Sequence, residues 1–127
     1  TSLFPHPSQN CGYRIQKSGK DRLCYISDIE NTGATTLDDV IAFNKDSTHL
    51  IIDSSYTQEE IKSRKGWGHL SLGDIEFIAK SLPHVQIFMY HHDIFKSDSQ
   101  IDTDSKQLLS KYSNVRIAQQ FDKIQLA

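Results

Sequence analysis

Two short apolar runs that break off abruptly in polar residues set the limits on this chain. His49-Leu50-Ile51-Ile52 ends at Asp53, and Val85-Gln86-Ile87-Phe88-Met89-Tyr90 passes straight into His91-His92-Asp93. Compact apolar stretches of this length suit buried strands whose polar ends emerge at a sheet edge. Between and around them the periodicity changes. Ser71 with Asp74 forms a capping signal, Leu72, Ile75, Ile78, Ala79 and Leu82 make a stripe of helical period, and Pro83 stops it. Thr36 with Asp39, followed by Leu37, Val40 and Ile41 at helical spacing, predicts a second, shorter helix. A third is expected around Asp104 to Tyr112 on Leu108 and Leu109. The turn formers Ser18-Gly19-Lys20-Asp21 separate two strands, 12–16 and 22–27, which read as a hairpin. Further strands are expected near Val115–Ala118 and Lys123–Leu126. The resulting order, β-β-α-β-α-β-α-β-β, is an α/β arrangement in which helices cover a sheet.

A length of 127 residues suits a single domain with a sizeable core. No apolar run approaches the roughly 18 residues that a membrane helix needs. Fourteen Lys and Arg against sixteen Asp and Glu give a net charge of -2, so no overall field draws the chain onto a polyanion. The basic residues are scattered among acidic ones without a basic-aromatic patch, which argues against nucleic acid as a partner of this chain alone. Cys11 and Cys24 are too few for a disulfide framework, and each lies in an alternating apolar stretch. They read as buried free thiols in a reducing compartment, hence a cytoplasmic location. The chain opens at Thr1 without methionine, so either its start has been removed or it is a piece of something longer.

Polar residues collect where the strands end: His6 before the hairpin, Asp28 after it, Asp53, and His91, His92 and Asp93. Imidazole and carboxylate together suit zinc, manganese or iron. Successive side chains of a strand point to opposite faces, so His91 and His92 can hardly both face one ion, and either could be the ligand. Gly66-Trp67-Gly68-His69 precedes the capped helix and would hold His69 near that helix N-terminus, where an anion could be met. The bland alternative is a tryptophan-anchored loop with a surface histidine. Asp98, Asp102 and Asp104 lack the glycine and the distal glutamate of a calcium loop and read as a solvated loop. Tyr13, Tyr25, Phe77, Phe88 and Tyr90 fall at core spacings.

Taken in order, His6-Pro7, Gly12-Tyr13-Arg14-Ile15, Tyr25-Ile26-Ser27-Asp28, Leu50-Ile51-Ile52-Asp53, Gly66-Trp67-Gly68-His69-Leu70-Ser71 and Phe88-Met89-Tyr90-His91-His92-Asp93 with Ser97-Asp98 resemble the C-terminal half of a metallo-β-lactamase-fold hydrolase, in its ribonuclease Z-like and phosphodiesterase-like branch. The resemblance runs from about His6 to the end of the chain. It implies half of an αββα sandwich, a mixed sheet with helices on one face, within a protein that holds two divalent metal ions, zinc first and manganese or iron as alternatives. It also implies metal ligation by His6, Asp28 and His91, with Asp28 bridging two ions, and a catalytic His69 handling the phosphate or the leaving group. His92 and Asp93 would be supporting groups.

The departures are specific. The family's His-x-His-x-Asp-His motif belongs to the N-terminal half and has no match here. Ile29 stands where the family has threonine, Leu70 replaces serine, and Ile94 and Lys96 replace a proline and a histidine. The resemblance therefore implies part of a dinuclear hydrolase acting on a phosphodiester or related ester, inactive as this chain alone. Its partner would be the missing N-terminal half, or a second copy covering an exposed sheet face. The rival expectation is a non-catalytic sensor or interaction domain, or a di-iron redox protein, of the same fold.

Overall fold

The computed structural model describes residues 1–33 and 35–127. Its strands are β1 (Ser2–Phe4), β2 (Asn10–Gln16), β3 (Arg22–Ile26), β4 (His49–Asp53), β5 (Gln86–Tyr90) and β6 (Val115–Ile117). Its helices are α1 (Thr36–Asn44), α2 (Leu72–Ser81) and α3 (Asp98–Lys111), with a 3-10 turn at Glu60–Ser63. The fold is α/β, as expected, and all six strands form one mixed sheet in the order β1-β2-β3-β4-β5-β6. The first three strands are antiparallel neighbours and the last four run parallel, with one helix in each parallel crossover.

Strand alternation decides which side chains meet the helices. Cys24 and Ile26 of β3, Leu50 and Ile52 of β4 and Ile87 and Met89 of β5 are buried, together with Val40, Ile75, Ile78 and Leu108 from the three helices. The opposite face carries Leu3, Tyr13, Ile15 and Tyr90, all exposed, with Leu23, Tyr25 and Ile51 partly covered. An apolar sheet face without helices is an unusual amount of greasy surface for a parallel ladder. Of the five aromatics expected in the core only Phe88 is buried. Tyr13, Phe77 and Tyr90 are exposed, because the spacing that marks a packed face says nothing about which face is covered.

Local chemistry fixes the helix ends. Ser71 accepts from the backbone N–H of Asp74 while the Asp74 carboxylate accepts from the Ser71 N–H, closing the expected capping box. The box expected at Thr36 and Asp39 is absent: Thr36 is already helical and buried, and Thr35 at the N-cap makes no side-chain bond. Helix α3 starts earlier than expected, at Asp98, because Ser97 and Gln100 form a second capping box. Asp98, Asp102 and Asp104 therefore stand on a helix rather than in a loop. Buried Asn114 donates to the carbonyl oxygens of Leu82 and Val85, 3.1 Å each, which ties the end of α2 to the start of β5.

Residues Lys123–Leu126, expected as a strand, form none. The tail instead folds back beside the open sheet face: Asp122, Lys123, Ile124 and Gln125 line a cavity with His49, Phe88 and Arg116. The Ala127 N–H donates to the Asp21 carboxylate in the β2–β3 turn. The two cysteines are free, Cys24 buried and Cys11 half-buried. No helix of the described residues is long and apolar enough to cross a membrane.

Candidate metal centre

Strands β3, β4 and β5 end side by side, and the residues just past them converge. Asp28, Asp53, His69 and His91 each offer a ligand atom within 4.8 Å of the others. Register explains the convergence: Ile26 pairs with Ile52 and Asp53 with Tyr90, so three consecutive strand ends lie at one level of the sheet. Asp28 and His91, each just beyond its strand, hold left-handed backbone at φ 52° and 60°. Residues other than glycine adopt such φ values at a cost, and they gather at functional sites.

Asp53 is the hub. It is fully buried and accepts from His69 Nδ1 at 2.7 Å, from the N–H of Asp28 at 3.2 Å and from the N–H groups of Leu70 and Ser55 at 3.3 Å each. His91 Nδ1 lies 3.3 Å from its Oδ2. Burial pushes the Asp53 carboxyl upward, but the hydrogen bonds from His69 and His91 and their charges outweigh it and hold the group below the usual aspartate value. The same contact with Asp53 raises His91 above the ordinary imidazole value, against the opposing effect of burial. Asp28 is half-exposed, 3.6 Å from His91 Nδ1, and accepts at 2.8 Å from Ser27 Oγ.

The four residues that the resemblance points to are thus only partly brought together. Asp28, His69 and His91 share one small volume. His6 does not join the group; its Nδ1 lies 3.0 Å from Ser8 Oγ and its ring rests against Gly68. Asp53, which the sequence offers as one of several strand-end polar residues but to which the resemblance gives no ligand role, takes a place beside the other three. His92 is not part of the group; its Nε2 is buried without a partner, and burial lowers its basicity.

The loop carrying His69 is held from beneath. Glu30, itself buried, accepts from the N–H of Gly66 at 2.5 Å and of Gly68 at 3.1 Å. Both glycines are left-handed, at φ 85° and 86°. Between them Trp67 is turned outward, 59% exposed, while the His69 side chain is only 19% exposed. The loop is neither anchored by its tryptophan nor tipped by a surface histidine. Glu30 had no sequence signal as an anchor, since a buried carboxylate is recognised only when its backbone partners are in view.

Two carboxylates and two imidazoles form a donor set that fits zinc, manganese or iron, so the residues present suit the ion the resemblance implies. Asp53 already gathers His69 and His91 through its Oδ2, at 2.7 and 3.3 Å from their Nδ1 atoms, so the donors stand together before any cation binds. Comparison with protein-family models, curated proteins and solved structures returns no match for the chain.

Proposed function

We propose that this chain supplies part of a dinuclear-metal hydrolase acting on a phosphodiester or related ester. The observation that carries the reading is the convergence of Asp28, Asp53, His69 and His91 at three adjacent strand ends. Bound there, divalent cations would lower the pKa of a water toward neutrality and stabilise charge on the oxygens of the scissile bond. Asp28, Asp53 and His91 would hold metal, and the half-exposed Asp28 is the member best placed to face a second ion. His69 is fixed by Asp53 through Nδ1, which leaves its Nε2 to hold or pass a proton. The buried Asp53 orients both imidazoles, as carboxylates do around metal-bound histidines.

The open sheet face supports a second element of the proposal. Leu3, Tyr13, Ile15 and Tyr90 are exposed on the face beside the donors, which suits coverage by the other half of a two-sheet sandwich or by a second copy. Without that cover the chain binds metal weakly and turns over no phosphodiester at a useful rate. Elemental analysis of the purified chain and of any longer parent, with an absorption spectrum, tests the reading. Zinc or manganese retained by the chain and lost in Asp53→Ala supports it. Iron bands would move it to the redox alternative, and no metal in either protein would end it.

A further inference from the structure

Next to the four donors lies a cavity of about 290 Å³ that two of them, His69 and His91, help to line. Part of its lining is a stack: the Arg64 guanidinium lies 4.7 Å above the Tyr56 ring and 5.4 Å from that of Trp67. Ile94 and Phe95 contribute another part. Arg64 is paired with the Asp93 carboxylate, so its charge is already engaged and what the stack offers is ring faces. Trp67, Ile94 and Phe95 are 59%, 88% and 84% exposed, three large apolar side chains left in water around one opening. Ligand pockets have this make-up, apolar and aromatic walls with a few convergent polar groups, and this one is at the small end of their range of roughly 300–1,000 Å³. It is sized for one ring system.

We propose that the cavity lined by Trp67, Ile94 and Phe95 takes a planar aromatic ring of an anionic substrate, an aryl or heteroaryl phosphate ester whose phosphate faces His69 and His91. The ring part rests on the cavity, and the phosphate part rests on the metal reading above. Trp67 is the only tryptophan in the chain, so its fluorescence reports occupancy directly.

The experiment titrates the chain, with and without Zn²⁺, with phenylphosphonate, methylphosphonate and benzyl alcohol, following Trp67 emission and, in parallel, heat. Phenylphosphonate is expected to quench Trp67 and to bind about tenfold tighter than methylphosphonate, the order of one ring–ring contact. Phe95→Ala and Ile94→Ser should each remove most of that advantage and leave methylphosphonate unchanged. Both side chains are exposed, so the variants keep the fold, which a urea midpoint verifies. Equal affinity for the two phosphonates, or no binding of any probe, overturns the ring site. Zinc-dependent binding of methylphosphonate without an aryl gain would do so while leaving the metal reading intact. Benzyl alcohol binding as tightly as phenylphosphonate would uphold the ring site and overturn the phosphate.

Discussion

Gly66 and Gly68 offer a matched pair that isolates what His6 does. Their φ values differ by one degree, and both donate to Glu30. Alanine at either position therefore meets the same backbone penalty, about 1–2 kcal/mol for left-handed conformation. What differs is the space. A methyl group on Gly66 would meet nothing within 4 Å, whereas one on Gly68 would lie 2.4 Å from His6 Nε2, inside contact distance. The ring is the far end of a side chain and can swing aside, so the added cost in stability is below the ~1–3 kcal/mol of an overpacked core. Urea denaturation should find the two variants within about 1 kcal/mol of each other, Gly68→Ala the weaker. Zinc titration should not separate them, because the His6 ring stands outside the group formed by Asp28, Asp53, His69 and His91 and can move without disturbing a donor. A loss of zinc affinity of about tenfold or more in Gly68→Ala relative to Gly66→Ala, the size seen when groups around a metal are displaced, would refute the reasoning and bring His6 into the site.

The remaining predictions address the hub, the loop anchor, a cap and an ion pair. Asp53→Asn keeps the shape but replaces an acceptor oxygen with an amide facing imidazole and backbone donors; zinc binding by calorimetry should fall below detection, and NMR titration should show His91 reverting toward the ordinary imidazole pKa. Glu30→Gln leaves one of the Gly66 and Gly68 N–H groups facing a donor, a loss of about 1–3 kcal/mol in a urea melt, with faster amide exchange at those glycines. Ser97→Ala removes the α3 cap and should cost ~1 kcal/mol. The Glu60 carboxyl is pushed up by burial, but Lys96 and the Thr57 N–H hold it below its usual value. Its contribution is therefore complete above the unfolded glutamate pKa of about 4.3 and is lost as pH falls through the lower folded value. Lys96→Met should flatten the acid limb of a stability–pH profile in that window.

Elements whose information is local were legible in the sequence. The hairpin, β4, β5 and α2 follow from alternation, apolar runs and a capping box closed by residues three apart. The start of α3 is equally local, since Ser97 and Gln100 carry the same signal, but the apolar contacts at Leu108 and Leu109 mark only its second half. Strand β1 was not legible: Ser2-Leu3-Phe4 is a strand only because Asn10–Gly12 lies beside it. At the site, Asp28, Asp53 and His91 could be picked out by type and position at strand ends, and His69 by its glycine-flanked loop before a capped helix. Asp53 as hub could not, because its role depends on the β3–β4–β5 register and on donors 16 to 38 residues away. Glu30 and the His6–Gly68 contact are long-range for the same reason.

The strands at the two margins of the sheet, β1 and β6, are three residues long each. So brief a border presents few free amide and carbonyl groups, and stubby borders are one way that sheets resist being extended by a neighbour's strand. Lateral zippering by another chain is thereby disfavoured at both borders, which leaves the broad apolar plane beside the histidine–aspartate cluster as the sheet's larger exposed surface.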